Sequence, residues 1–369
     1  MYIAGIGIIF SRGRGIESFS HALQKGWKPP QFIEHASFSD KPIPLYAVDQ
    51  EFIMDKAVLG KSRRADRFCK MAVLAAWDAV KDSGLSDVLL NGSMSPGEDA
   101  PSLGIIHATA LGPHTTTFRF LDDILDYGEA NVSPTAFSHS VHNAAASYIA
   151  SVLDIRGPTI TVSQFVFSFH QALLLAQSWL EEKRCDFVLV GSTDECGQVM
   201  EYICRQKLHI ADDGRIKPFH FSASPEAVPG EGSVFFLMTQ EKNLPAPARY
   251  GEVYEISLFD HQNEEDAPDI CLIETDGMTG DETACRNDII PGAYVAGYSP
   301  LFGSFMAGSG FQCAAAALML KRQIRYACPV QDNPYGVNLC TATEPSEIRT
   351  IYSFRHCCGH KKAVIKLRR

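Results

Sequence analysis

GPTITVSQFVFSFHQALLLAQSWLEEKRCDFVLVGSTDE, residues Gly157–Glu195, decides how the rest of the chain is read. Thr159–Val162 is a β-branched run, Ala172–Glu182 is apolar at helical spacing, and Asp186–Val190 is a short buried strand closed by Gly191. The order is strand, tight turn, helix, strand. Between the first strand and the helix lies Ser163–His170, where such a unit presents a reactive side chain. A group placed there meets the free N–H groups of a helix N-terminus, which stabilise an anion and lower a thiol's pKa.

The order GP, strand, turn, long helix, strand, GS resembles the nucleophile elbow of the β-ketoacyl synthases of the thiolase superfamily. Those enzymes carry a cysteine nine residues after the first Gly of the GP pair, and this chain has Val166 there. Valine forms no thioester. Phe165, Phe167 and Phe169 make the turn bulky and apolar, as a core would, and equally as a plug in a vestigial pocket would.

The bulk composition bounds the alternatives. With 369 residues, 46% of them hydrophobic, the chain can bury a large core as one domain or two intimate halves. No apolar run reaches the roughly 18 residues of a membrane span. MYIAGIGIIFSRGRG at the N-terminus reads as an opening strand and not as a signal peptide. The 11 cysteines are odd in number and scattered, which fits a reducing cytoplasm, so the Asn-x-Ser triplets at Asn91 and Asn131 carry little weight. A net charge of −10 argues against non-specific nucleic-acid binding.

Outward from the elbow, Tyr2–Phe10 is the first strand, with Gly5 and Gly7 admitting a neighbouring backbone. Lys61–Gly84 reads as an amphipathic helix whose first turns are basic, at Lys61, Arg63, Arg64, Arg67 and Lys70. Two readings stand there: a solvated face, or a docking surface for an acidic partner, which in ketosynthases is an acyl carrier protein. Gly104–Ala108 is a strand, followed by a loop-and-helix excursion to about residue 138. Ser140–Pro158 resembles the ketosynthase stretch at the subunit interface, though its alanines suit packing inside one chain equally well. Lys217-Pro218-Phe219-His220 and Pro229-Gly230-Glu231-Gly232-Ser233 resemble the family's RPFD…PGEGA pattern ahead of a strand at Val234–Met238. Gly251–Phe259 and Asp269–Glu274 read as strands, Gly303–Ile324 as a small-residue helix and Ala363–Leu367 as the closing strand. The resemblance implies an α/β, thiolase-like fold of two similar βαβ-rich halves in five αβαβα layers, divided into residues 1–200 and 201–369.

Ketosynthases need a thiolate and two histidines aimed at a developing oxyanion. The first histidine lies in a motif like AHGTxT…GD; here Ile273–Asp281, IETDGMTGD, places Asp276 at that position. An ionised carboxylate accepts hydrogen bonds and would repel an enolate. The second lies in a pattern like KxxxGHxxGAAG; here Ser304 stands for the histidine and Ser299 for the lysine. The GFGGxN loop survives only as Arg355-His356-Cys357-Cys358-Gly359-His360-Lys361, whose ligand-type residues match no zinc spacing. Glu274, Asp276 and Asp281 are of types that hold a cation, and equally of types that form turns.

Family members that keep the fold without the nucleophile are the chain length factors of type II polyketide synthases, which pair with an active ketosynthase and shape the acyl tunnel. Many put glutamine at the cysteine position; here Gln164 lies two residues earlier, which is closer to the partners of aryl-polyene systems. The resemblance thus implies a chain without bond chemistry of its own, a heterodimer, a carrier-protein ligand, and neither cofactor nor metal. Phe137, His142, Val166 and Phe167 are the tunnel and interface candidates. Two rivals stand beside this reading. One is an acyltransferase or hydrolase using Ser163 or Ser168, although no G-x-S-x-G elbow is present. The other is a homodimeric scaffold that binds carrier protein alone.

Overall fold

The structure is a computed structural model that describes residues 1–34, 41–90, 101–240, 250–258, 267–357 and 361–369. Asn91, Phe259 and the stretch 358–360 lie outside the described residues, as does the side chain of Lys61. In chain order the main elements of the first part are β1 (Tyr2–Phe10), α1 (Ile16–Lys25), α2 (Arg67–Asp82), β2 (Leu103–Ala108), α3 (His114–Tyr127), α4 (Pro134–His139), α5 (Ala144–Leu153), β3 (Thr159–Val162), α6 (Ser168–Glu181), β4 (Phe187–Asp194), α7 (Gln198–Lys207) and β5 (Gly232–Thr239). The second part has β6 (Glu252–Leu258), β7 (Ile270–Glu274), β8 (Tyr294–Ala296), α8 (Ser309–Arg322), β9 (Thr350–Cys357) and β10 (Lys361–Arg368).

The strands form one continuous mixed sheet in the order β8-β7-β9-β10-β6-β1-β5-β4-β2-β3. Its two halves meet through the single antiparallel pair Tyr2–Glu252. Each half repeats one plan. Counting strands within a half, the order is third, second, fourth, fifth, first in both. In the first, β2 runs parallel to β3 and β4, while β5 is antiparallel to β4 and β1. In the second, β7 runs parallel to β8 and β9, while β10 is antiparallel to β9 and β6. The repeat is one of topology and not of residues, which is the thiolase-like arrangement. The pairing of β5 with β4 and β1 carries the first half-sheet to Thr239.

Helices α6 and α8 touch strands of both halves and pack on each other between them, over the larger apolar core. Helices α2 and α5 pack together on the far face of the first half, around a second core. A Cβ at Gly7 would lie 1.9 Å from the Ala75 carbonyl oxygen and one at Gly5 2.2 Å from that of Ala79, so both glycines let α2 lie directly on β1. The alanines Ala144–Ala146 are buried within the chain against this layer, so close packing inside one chain accounts for them. Beyond the second half-sheet no described residue forms an α-helix; the 3-10 turn Thr283–Asp288 stands in that part of the chain.

Several boundaries move for identifiable reasons. Helix α2 starts at Arg67 and not at Lys61, because the Asp66 carboxylate accepts the Cys69 amide at 2.8 Å and caps the helix there. Strand β4 runs through Gly191 instead of ending at it; a Cβ there would lie 2.3 Å from the Val234 carbonyl oxygen, so the glycine serves strand contact. Helix α8 begins at Ser309, the preceding residues forming a turn through Ser304. Among the described residues no helix is long and apolar enough to cross a membrane.

Candidate functional site

The elbow connects β3 to α6 through a 3-10 turn, Phe165–Phe167, and is tightly built. Phe165 has φ 47°, a left-handed conformation that costs a bulky residue about 1–2 kcal/mol, and its ring is exposed. The turn is held by Ser168, whose hydroxyl accepts the Gln164 amide at 2.8 Å and has two carbonyls within reach of its single proton, Phe165 at 2.7 Å and Thr109 at 3.0 Å. Ser163 donates to the Ala110 carbonyl at 3.0 Å. Both hydroxyls are therefore spent on backbone. His170, one turn into α6, is completely buried with neither ring nitrogen bonded, and burial pushes its pKa down to about 3. No serine–histidine couple exists at the elbow.

Val166 is 5% exposed and sits with Phe167, Ala363, Leu258, Met306 and Cys357 in a small separate apolar cluster. The strands that fill the space over it belong to the β9–β10 hairpin and to β6. The four tunnel candidates thus part company. Val166 and Phe167 share this cluster, whereas Phe137 is exposed on α4, where its ring packs 5.7 Å from that of Phe120, and His142 lies over Gly112.

Asp276 follows β7 and is buried with its neighbours. Its Oδ2 receives Arg355 Nη1 at 3.0 Å, its Oδ1 accepts the Met278 amide at 3.0 Å, and its carbonyl accepts the hydroxyl of Ser304. Ser304 in turn accepts the Val228 amide at 3.1 Å, so it ties two loops together. Ser299, also buried, meets only Gln312 Nε2 at 3.5 Å. Asp276, Ser304 and Arg355 are thus linked, and Ser299 stands apart from them.

Arg355 organises this centre, and sequence reasoning missed it. It projects from β9, is 1% exposed, and lies between Asp276 and Glu274, the latter at 3.4 Å. Burial opposes its charge, yet the two carboxylates outweigh that and raise its pKa. Glu274 also accepts Ser309 Oγ at 2.7 Å and faces Ser353; burial, offset by Arg355, leaves its pKa at about 7. Glu282, which accepts the Gly277 amide at 2.8 Å, is pushed up to about 8 by burial. Arg355 Nε and Nη2 have no hydrogen-bond partner. The cation near Glu274 and Asp276 is therefore this guanidinium. Asp281 is turned away and caps Thr283 at 2.8 Å. Among the described residues no group of three or more His, Cys, Asp or Glu side chains is placed to hold a metal. His356 pairs instead with Asp288, which also takes Lys362 at 2.9 Å.

A cavity of about 20 Å³, room for roughly one water, remains beside Ser304, lined also by Ala110, Asp194, Met278 and Met306. Asp194 closes it: Thr109 Oγ1 and the amides of Ala110 and Ala307 each donate to its carboxylate at 2.9 Å. Burial raises its pKa against those three donors. Nearby, Glu231 of the PGEG turn accepts the amides of Val48 at 2.8 Å and Cys196 at 3.1 Å and pairs with Arg67. Arg67 is also bonded to the Val48 carbonyl, so its guanidinium is held within the chain. Arg63 and Arg64 precede α2 and are exposed.

The elbow thus presents a buried valine between hydroxyls bonded to backbone, and Asp276 and Ser304 are engaged in bonds within the chain, Asp276 with the buried Arg355. Residues 1–243 match the family model of the beta-ketoacyl synthase N-terminal domain. The chloroplastic 3-oxoacyl-[acyl-carrier-protein] synthase I of Arabidopsis thaliana is 20% identical over 193 residues, 52% of this chain. The chain spans 40% of that relative's length. Among solved structures, the ishigamide ketosynthase/chain length factor superposes with a TM-score of 0.77 at 17% identity, over 100% of this chain and 98% of that one. A type II polyketide synthase acyl-carrier protein in complex with its ketosynthase bound to the hexaketide gives a TM-score of 0.75 at 14% identity, with the same coverage. At these identities the structural likeness establishes the fold, and the family rests on the sequence match. With two-thirds of its length matching that model, the chain belongs to the beta-ketoacyl synthase family.

Proposed function

We infer that this chain is a non-catalytic ketosynthase-like subunit, a chain length factor, that pairs with an active β-ketoacyl synthase and shapes the acyl tunnel in type II polyketide or polyene biosynthesis. The observation that carries this is Val166 at the elbow, buried and packed with Phe167, Ala363 and Cys357. A methyl-bearing side chain supplies neither a nucleophile nor a proton. The positions read as the family's two histidines, Asp276 and Ser304, are both consumed by internal bonds. Solved structures with a similar fold include a ketosynthase/chain length factor and a carrier-protein complex of a ketosynthase, which supports this role.

A carrier protein with an acidic surface would meet Arg63 and Arg64. Beside them a groove of about 510 Å³ is floored by Ile53, Met54 and Leu59 and edged by Lys56, Arg63 and Lys70. The test is co-expression with ketosynthases encoded beside this chain, followed by affinity purification through a tag on it. A stoichiometric ketosynthase that elongates only as the pair is the expected result. Turnover of acyl thioesters by this chain alone would overturn the reading.

A further inference from the structure

Five sulfur-bearing side chains line the small cavity beside Ser304: Cys196, Met200, Cys204, Met278 and Met306. The first three belong to one stretch, CGQVMEYIC, residues 196–204, where they recur at every fourth position. Met200 and Cys204 therefore share one face of α7, and Cys196 lies just ahead of its first turn. Met278 comes from the turn after β7 and Met306 from the turn before α8. Thioethers thus complete a set that His, Cys, Asp and Glu alone do not make.

Thiolate and thioether sulfur together are the soft ligands that suit copper(I). Zinc instead takes thiolate with imidazole or carboxylate in closed tetrahedral sets. The oxygen ligands at this cavity are already engaged. Asp194 accepts Thr109 Oγ1 and the amides of Ala110 and Ala307, and Glu195 accepts the Thr115 amide at 2.9 Å. The sulfur atoms are held apart from such chemistry, and neither cysteine is in a disulfide. Burial, then the nearness of Cys204 and of Glu231, Glu201 and Glu195, pushes the Cys196 thiol well above its ordinary range. Burial and Glu201 push Cys204 up to about 12. Surroundings that resist a thiolate because they are already negative favour a cation placed beside the thiols, for the same electrostatic reason. A groove of about 450 Å³ adjoins the cavity along Met200, Cys204, Met278 and Met306, and its wall includes the exposed Ile203, which supplies a way in.

We propose that this cavity binds one copper(I) ion through the thiolates of Cys196 and Cys204, with the thioethers of Met200, Met278 and Met306 supplying the rest of its coordination. The proposal stands independently of the subunit reading. Each thiol that coordinates releases its proton to solvent, and no electron is transferred, so binding needs no oxidant. The space is that of about one water, which admits an ion and excludes an organic ligand. A bound ion ties α7 to the turns after β7 and before α8, and so stabilises the folded state as any ligand confined to it does.

The test titrates the purified full-length chain with copper(I) under anaerobic conditions against the chelator bicinchoninate, with silver(I) as a second, redox-inert probe. The wild type should retain one copper(I) against the chelator, show a thiolate-to-copper charge-transfer band in the ultraviolet, and melt at a higher temperature with either ion. Cys196→Ser/Cys204→Ser should weaken that binding at least about 100-fold and remove the band. Met278→Leu/Met306→Leu conserves volume, so the fold, checked by circular dichroism, should hold while binding weakens about tenfold. Cys185→Ser, at a thiol beside Gly104, should leave binding unchanged. Wild-type affinity in the serine pair, or in the leucine pair, overturns the site, since the copper then sits on other thiols. A wild-type chain that yields all its copper to the chelator overturns it as well. If the serine pair does not fold, the leucine pair decides by the same criterion.

Discussion

Replacing Arg355 by methionine isolates the charge at the centre of the molecule. Methionine keeps the unbranched apolar stem and removes the guanidinium, leaving Asp276 at 3.0 Å and Glu274 at 3.4 Å without their cation. Breaking a buried ion pair by deleting one partner costs about 3–5 kcal/mol, since the remaining charge is uncompensated. Here the residual charge can be quenched by protons. Glu274 already has its pKa raised from 4.5 to about 7 with Arg355 present, and the loss of Arg355 must raise it further. For a carboxylate whose folded pKa is raised, the folded state binds more protons than the unfolded one between the two values. Its stability contribution is therefore complete below the unfolded pKa and is lost as pH climbs to the folded one. Arg355→Met should thus cost roughly 4 kcal/mol at pH 8, shrinking to about 1–2 kcal/mol at pH 5.5. Urea unfolding midpoints followed by circular dichroism at the two pH values measure it. Adding Glu274→Gln and Asp276→Asn to Arg355→Met should recover a large part of the loss, because neutral buried groups no longer need the cation. A loss below about 1 kcal/mol at pH 8, or one independent of pH, would refute the reasoning that Arg355 neutralises this centre.

Glu282→Gln should flatten the pH dependence of the wild type. The Glu282 carboxyl is held at about 8 against an ordinary 4.5, so wild-type stability falls across that window with a slope of up to about 1.4 kcal/mol per pH unit from this group; equilibrium unfolding from pH 5 to 8.5 checks it. Val166→Cys should fold, as a near-isosteric change costing under about 1.5 kcal/mol, yet take up no acyl group from a thioester donor above the wild-type background, as read by intact mass. Gly7→Ala should destabilise severely, by more than about 3 kcal/mol, because its Cβ would sit 1.9 Å from the Ala75 carbonyl oxygen; loss of soluble folded protein or a lowered thermal midpoint reports it.

The fold was largely legible because its signals are local and periodic. Tyr2–Phe10 and Thr159–Val162 occupy the residues expected of them, since β-branched runs bounded by turn residues leave little choice. The helix starts moved where a cap overrode an apolar pattern, as Asp66 does for α2. The repeated strand plan of the two half-sheets has no residue-level trace, because topology constrains burial and not identity.

The internal bonds of the candidate site were not legible in the sequence. Val166, Asp276 and Ser304 are found by motif spacing, but their partners are not, because those come from distant strands. Arg355 lies 79 residues from Asp276, and nothing in the sequence around it announces a buried cation. The one available signal was the set of acidic residues Glu274, Asp276 and Glu282 close together in sequence, which needs a counterion if buried. The partners of Arg67 were hidden for the same reason. A cation that looks exposed on a helical wheel is held inward by Glu231, more than 160 residues away.

The most direct measurement of the central claim is intact-mass spectrometry of the purified pair after incubation with acyl and malonyl carrier protein, with peptide mapping of every acylated residue. The account predicts acylation confined to the ketosynthase cysteine, none on this chain, and elongation only when both subunits are present. A covalent acyl group on any residue of this chain, or elongation by this chain alone, would contradict it.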